Sequence, residues 1–168
     1  DIQVLTPVHK GNVGTLVLNL ALQEAFNPPR PGIPEKKYGD RLFRQGDKVM
    51  QIRNNYQIEW KRTGEEETHT GVYNGDMGYI TSVNNEDGIV TVMFDDERYV
   101  NYDNKRLDEL ELAYAIAVHK SQGSEYPVVV IPLLRCPPKL LNRNLLYTAV
   151  TRAKLSVVVV GNIGLINH

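Results

Sequence analysis

Apolar and polar positions change rhythm twice along this chain. Ile2–Thr6 is a short apolar-rich run that predicts a buried strand, and Pro7-Val8-His9-Lys10-Gly11-Asn12-Val13-Gly14 follows it as a polar, glycine-bearing turn. From Thr15 to about Phe26, Leu16, Leu20 and Ala21, with Val17 and Leu22, recur at the i, i+3 and i+4 spacing of a helix. Asn27-Pro28-Pro29-Arg30-Pro31-Gly32-Ile33-Pro34 stops it, because four prolines in seven residues cannot continue a helix. Between about Lys36 and Arg106 the runs Lys48–Arg53, Gln57–Arg62, Gly78–Val83 and Ile89–Phe94 are broken by Asn-Asn, Asn-Gly-Asp and Asn-Asn-Glu-Asp-Gly. Short strands with turn signals every ten or so residues predict a small β-barrel. After Leu107 the texture changes back: Leu112–Val118 is strand-like, Val128–Leu133 is continuously apolar, Asn142–Ala153 is helical, and Val157–Gly161 is apolar again.

Buried apolar runs alternating with helices predict a mostly parallel sheet. The expected architecture is a discontinuous α/β domain formed by 1–27 and 107–168, with a small barrel at 28–106 inserted into it. Composition fits a folded domain: 168 residues, 42% hydrophobic and 23% charged. The one cysteine, Cys136, excludes an internal disulfide framework and a multi-cysteine zinc site. No apolar run approaches the length of a membrane span, no signal peptide opens the chain, and the expected compartment is the cytoplasm. The chain opens on Asp1 and enters a strand at once, so a segment of something longer is expected.

The net charge of −1, from 19 Lys+Arg and 20 Asp+Glu, conceals a local asymmetry. Residues 28–106 hold 12 basic and 14 acidic side chains, whereas 119–154 hold Lys120, Arg135, Lys139, Arg143, Arg152 and Lys154 against Glu125 alone. Any nucleic acid would therefore be met by a local patch rather than by the overall field. Within that patch an apolar strand runs straight into His119-Lys120-Ser121-Gln122-Gly123-Ser124-Glu125-Tyr126. Loops that leave the carboxyl ends of strands in an open α/β sheet are where ligands bind. Gly123 would let a phosphate or sugar approach the backbone closely, and His119, Lys120 and Ser121 all suit phosphate contacts. The second segment is Asn144-Leu145-Leu146-Tyr147-Thr148-Ala149-Val150-Thr151-Arg152-Ala153-Lys154. An arginine at such a helix end can neutralise transferring phosphoryl charge.

Together, His119-Lys120-Ser121-Gln122-Gly123-Ser124-Glu125-Tyr126-Pro127 and Tyr147-Thr148-Ala149-Val150-Thr151-Arg152-Ala153-Lys154 resemble motifs V and VI of superfamily 1 DNA helicases. Gln3-Val4-Leu5-Thr6-Pro7-Val8-His9-Lys10-Gly11 resembles motif IV of the RecD/TraA branch. Asp47–Gln51 through Tyr73-Asn74-Gly75-Asp76-Met77-Gly78 is similar to the SH3-like barrel inserted in that branch's second RecA-like domain. The resemblance, to the C-terminal part of the exodeoxyribonuclease V alpha-chain family, covers essentially the whole chain.

What it implies is carried over residue by residue. Arg152 matches the catalytic arginine that reaches across a cleft to the γ-phosphate of ATP. Glu125 matches a glutamate near the nucleotide's sugar, and Gln122 and Gly123 lie where nucleotide state is coupled to DNA. His119, Lys120 and Ser121 match the single-strand track, with Thr6, Pro7, Lys10 and Gly11 facing them. Asn74 and Gly75 match a barrel loop presented to DNA. Where many relatives have Thr two residues before the motif V histidine, this chain has Ala117, so a phosphate-binding hydroxyl is missing or is replaced by that of Ser121. The implied partners are single-stranded DNA, an upstream RecA-like domain and, where the parent works in a recombination complex, nuclease subunits. The implied setting is the bacterial cytoplasm, and the implied movement is 5′→3′. ATP and Mg²⁺ would be bound mainly by the upstream half, because no Gly-Lys dipeptide, and hence no Walker A loop, occurs here. The chain alone is not expected to hydrolyse ATP.

Other features read as ordinary structure. Val90–Glu97 looks like a Walker B strand but sits in alternating barrel texture and is expected to be a hairpin strand, and Gly11-Asn12-Val13-Gly14 lacks a phosphate-loop pattern. His9, His69, His119 and His168 show no metal spacing, Glu65-Glu66-Glu67 reads as a solvated loop, and Cys136 lacks an activating partner. The rival reading is a non-enzymatic single-strand-binding module, with stacking aromatics among Tyr56, Trp60, Tyr73, Tyr79, Tyr99 and Tyr102.

Overall fold

The computed structural model describes residues 2–133 and 143–161. In chain order its elements are β1 (Ile2–Thr6), α1 (Thr15–Phe26), β2 (Glu35–Tyr38), β3 (Arg41–Arg44), β4 (Lys48–Gln51), β5 (Asn55–Arg62) and β6 (His69–Val72). There follow β7 (Met77–Asn84), β8 (Ile89–Phe94), β9 (Arg98–Tyr102), β10 (Leu110–Leu112), β11 (Ala115–Ala117), β12 (Tyr126–Leu133), α2 (Arg143–Val150) and β13 (Ala153–Gly161). Two compact units result, Asp1–Leu22 with Tyr114–His168, and Gln23–Ala113.

The first unit is built on a four-stranded sheet in the order β11-β1-β12-β13. Every pairing in it is parallel. β1 lies between β11 and β12, which accounts for its full burial at Gln3, Leu5 and Thr6. The Val- and Ile-rich β12 is likewise interior, with Val129, Ile131 and Leu133 buried, as strands of a covered parallel sheet are.

The second unit is an antiparallel seven-stranded sheet in the order β10-β4-β7-β8-β9-β5-β6, with β2 and β3 as a separate hairpin. Its register shifts within β5 and β7 bend the sheet on itself. Phe43, Val49, Ile58, Val72, Ile80, Val92, Phe94, Val100 and Tyr102 close the core. Leu107 and Leu110 are fully buried in that same core and β10 pairs with β4, so residues just past 106 pack with the barrel. The strand-like run Leu112–Val118 is divided: Leu112 pairs with Val49 in the barrel, whereas Ala115–Ala117 pairs with β1. Ala113 donates its N–H to Lys48 O, while Tyr114 O accepts from Val4 N, so the chain changes sheets between adjacent residues.

Buried polar groups fasten the helix end to the barrel. The fully buried Asp47 carboxylate accepts from Gln23 Nε2 at 2.6 Å, Asn27 Nδ2 at 2.8 Å and Arg44 N at 2.7 Å. Buried carboxylates persist only when saturated in this way. The Walker-B-like Val90–Phe94 is a hairpin strand, antiparallel to β7 on one side and β9 on the other.

Candidate functional site

β1 ends at Thr6 opposite Ala117, the last residue of β11, so two loops leave the carboxyl edge of the parallel sheet side by side. The first, residues 7–14, is closed from within. The buried Thr6 Oγ1 donates to Val13 O at 2.6 Å, Gly14 N donates to Gly11 O at 2.9 Å, and Thr15 Oγ1 bonds His9 Nδ1 at 2.6 Å. Gly14 permits this fold, since a Cβ there would stand 2.5 Å from His9 O. His9, Lys10 and Gly11 are left exposed at the rim, with Pro7 half-buried. The Thr6 hydroxyl thus shapes the loop from inside rather than facing solvent.

Asn19 was not singled out by sequence, yet it fixes the neighbouring strand. Buried in the middle of α1, it donates to Ala115 O at 2.8 Å and accepts from Ala115 N at 2.9 Å, a two-bond clasp on the first residue of β11. The readable signal was a lone amide inside the apolar run Thr15–Leu22.

The second loop starts as a 3₁₀ turn, Val118–Ser121. Val118 and Ser121 are buried, and Ser121 Oγ donates to Val118 O at 2.6 Å. Its hydroxyl is therefore held within the turn and does not occupy the place of a hydroxyl at Ala117. His119, Lys120, Gln122 and Gly123 are exposed, and Gly123 takes φ +83° with open space around its Cα. That conformation and that access suit close backbone approach by a ligand. β12 then begins at Tyr126, two residues before Val128, which pairs with Ile2. Residues 118–125 therefore cross the sheet from its carboxyl edge to its amino edge.

At the amino edge they meet the second basic segment. α2 buries Leu145 and Ala149 and exposes Tyr147, and it contacts the 118–121 turn as well as β12 and β13. Its regular part ends at Val150, earlier than the expected 153. Thr148 and Thr151 hydroxyls bond back to Asn144 O and Thr148 O, and Ala153 is already paired with Tyr126. Arg152 sits in the turn between: its N–H donates to Ala149 O at 3.2 Å and its carbonyl accepts from Tyr126 N at 2.8 Å. Among the described residues its guanidinium makes only marginal contacts, Nη1 to Ser124 O at 3.5 Å and Nη2 to Thr151 Oγ1 at 3.4 Å. Its Nε is buried without an acceptor among the described residues. Lys154 Nζ pairs with Glu125 Oε2 at 3.1 Å, both more than half exposed, so this pair adds little stability.

The parallel sheet thus sorts its candidate residues. Thr6, Pro7, Lys10, Gly11, His119, Lys120 and Ser121 cluster at the carboxyl edge, Glu125 and Arg152 at the amino edge, and Gln122 and Gly123 lie between. In the barrel unit, Asn74 and Gly75 form the turn from β6 to β7. Asn74 N donates to Asn54 Oδ1 at 2.9 Å, and Gly75, at φ +101°, donates to Gln51 O at 2.8 Å. The exposed Tyr56 and Tyr73 meet edge to face beside this turn at 5.8 Å. Tyr102 is core, its hydroxyl donating to Gln51 Oε1 at 2.7 Å, and Trp60 stacks on His69 at 4.5 Å. Arg135, Cys136, Lys139 and His168 lie outside the described residues, as does the side chain of Arg143. Among the described residues no group of His, Cys, Asp and Glu could hold a metal, and no helix is long and apolar enough to cross a membrane.

Comparison with known proteins follows the same division. Residues 18–94 match the SH3 domain of ATP-dependent RecD-like DNA helicases, and residues 112–160 match the UvrD-like helicase C-terminal domain. The ATP-dependent RecD2 DNA helicase of Deinococcus radiodurans is 37% identical over 153 residues, which are 91% of this chain and 19% of that protein. The RecBCD enzyme subunit RecD of Mycobacterium tuberculosis is 40% identical over 91 residues, 54% of this chain and 16% of that subunit. The chain therefore spans about a fifth of the length of these relatives. Bacteroides Pif1 helicase, solved in complex with ADP-AlF3 and ssDNA, superposes with a TM-score of 0.62 at 22% identity, covering 95% of this chain and 40% of that one, and so shares its fold. With a RecD-type SH3 domain and a UvrD-like C-terminal domain following each other across a sheet of this topology, the chain belongs to the RecD-like family of superfamily 1 DNA helicases.

Proposed function

We propose that the chain is the second RecA-like half of an ATP-driven DNA motor acting in DNA recombination or repair. Its carboxyl edge supplies part of a single-strand track and its amino edge one wall of an ATP site. The observation that carries this reading is Arg152. Among the described residues the Arg152 guanidinium has marginal contacts only and its Nε has no acceptor, which suits its Nη groups to an anion from outside the chain. Phosphoryl transfer needs such a charge at the γ-phosphate, and an arginine supplied from across a cleft is a recurring way to provide it.

Residues 118–125 link the two edges in eight residues, so a shift of Arg152 on hydrolysis would be felt at His119 and Lys120 on the track. Gln122 and Gly123 lie within that link, and Glu125 would face the nucleotide's sugar. ATP and its Mg²⁺ would be held mainly by the upstream RecA-like domain. The solved Pif1 relative holds both a nucleotide analogue and ssDNA, which supports pairing these two ligands on one fold. Movement 5′→3′, a bacterial cytoplasmic setting and work beside nuclease subunits belong to the same reading.

The test is single-strand-stimulated ATP hydrolysis by the full-length protein, wild type against Arg152→Ala. Loss of one such arginine lowers turnover by about 10³-fold or more. That collapse, with single-strand affinity retained, is the expected result. Unchanged turnover would remove the role of Arg152 and favour a binding module. Unwinding of duplexes tailed on the 5′ or the 3′ side checks polarity in the same preparation.

A further inference from the structure

The barrel unit carries a cleft of about 580 Å³ on the outer side of β5 and β9, lined by residues other than those assigned above. Its walls follow from strand alternation. Ile58 on β5 and Val100 and Tyr102 on β9 point into the core, so Gln57, Glu59 and Lys61 on β5 and Tyr99 and Asn101 on β9 share the opposite face. Lys61 is paired directly across from Tyr99, and Arg106 closes the cleft from the turn after β9. No aliphatic side chain lines it.

Four features set the ligand's chemistry. Lys61 and Arg106 have no ion-pair partner among the described residues and line one cleft. Two cations against the single carboxylate of Glu59 in one concavity suit phosphate groups. Tyr99, half-buried beside Lys61, offers a ring for a base to stack on, and stacking tolerates any base. Glu59 repels phosphate but accepts hydrogen bonds from an exocyclic amine. Asn101 accepts from Thr91 Oγ1 through Oδ1 at 2.8 Å, which leaves its amide N–H groups for an acceptor on a ligand. An aliphatic peptide anchor would need an aliphatic socket, which this cleft lacks.

We propose that this cleft is a second single-stranded nucleic-acid contact, seating one nucleotide with its base on Tyr99 and its flanking phosphates at Lys61 and Arg106. The proposal rests on the reading that the full-length protein works on single strands, and it adds a contact separate from the track on the parallel sheet and from the Asn74–Gly75 loop.

The test measures binding of fluorescein-labelled oligo-dT and oligo-dC to the full-length protein between 50 and 300 mM salt, wild type against Lys61→Glu/Arg106→Glu. Both side chains are solvent-facing, so the variant should fold, and circular dichroism checks this. About tenfold weaker binding is expected, with the slope of log K against log salt reduced by roughly 1.4 for two phosphates on a single strand. Tyr99→Ala should weaken binding while leaving that slope unchanged, because it removes stacking and no charge. Wild-type affinity and slope in the charge-reversed variant would overturn the proposal. So would unaltered oligonucleotide binding with lost binding of a labelled poly-glutamate peptide, which would assign the cleft to a protein partner. Single-strand-stimulated ATPase in the same preparations separates the failures. If stimulation and its dependence on Arg152 persist, only the cleft is wrong, and if wild type shows no stimulation, the motor reading itself falls.

Discussion

Asp47 and Lys48 are adjacent, both buried and both chargeable, and the structure treats them oppositely. Asp47 is saturated by three donors and fastens Gln23 and Asn27 to the barrel. Lys48 is pushed down to about 8 by burial, only partly offset by the charge of Asp95. Its folded value lies below its unfolded one, so the unfolded chain binds more protons between pH 8 and 10.5, and stability rises with pH across that window. The rise expected between pH 8 and pH 10 is on the order of 2 kcal/mol. Above about pH 10 the buried Tyr102, whose ionisation is pushed up by burial, works against it. Urea midpoints at the two pH values check the slope, and Lys48→Met should flatten it. A slope that survives in Lys48→Met would assign it to another group.

The loop of residues 7–14 shows how one missing methyl group builds a site. A Cβ at Gly14 would collide with His9 O and with the backbone of Lys10, whereas one at Gly11 meets open space and only a strained φ of +91°. Gly14→Ala is therefore expected to cost roughly 1–3 kcal/mol by overpacking, and Gly11→Ala about 1–2 kcal/mol by conformation alone. Urea unfolding ranks the two, and an equal or reversed ranking would mean the loop opens easily. How much of this was legible follows from the forces involved. β1, α1, β12 and β13 announce themselves because burial on both faces or one writes an apolar run or a 3.6-residue period. The hairpin Glu35–Tyr38/Arg41–Arg44 and the strands His69–Val72 and Arg98–Tyr102 do not, being short and largely polar and held by cross-strand pairing rather than by an apolar run of their own. The loop residues His119–Glu125 and Arg152 could be picked out as chemistry. Their distribution between opposite edges of the sheet could not, because it depends on the register of Ile2 with Val128 and of Thr6 with Ala117. The inward turn of the Thr6 and Ser121 hydroxyls is likewise a product of loop closure, not of residue type.

The whole chain presents surfaces that its own residues do not cover. Leu16, Val17, Leu20 and Phe26 on α1 and Leu155, Val158, Val159 and Val160 on β13 are each between 44% and 82% exposed. A strand of a parallel sheet is ordinarily buried on both faces, and exposed apolar surface of this extent marks a site of contact. The Deinococcus radiodurans relative is about five times as long, and in the proposed reading the remainder of such a protein would cover these side chains. The same incompleteness limits the chemistry. In the proposed half-motor, the lack of a Gly-Lys phosphate loop leaves no such lysine to cradle the β- and γ-phosphates, and the chain would supply only part of a track. Affinity for a single strand grows with the number of phosphates neutralised, and few exposed cations remain at the carboxyl edge. The isolated chain is therefore expected to bind oligonucleotides with a Kd in the range of about 1–100 μM at physiological salt, the range of non-specific binding, and to weaken as salt rises. It should hydrolyse no ATP in their presence. A titration by fluorescence anisotropy, paired with a phosphate-release assay, measures both. Nanomolar binding that ignores salt, or turnover by the chain alone, would contradict a half-motor and require a complete site within these 168 residues.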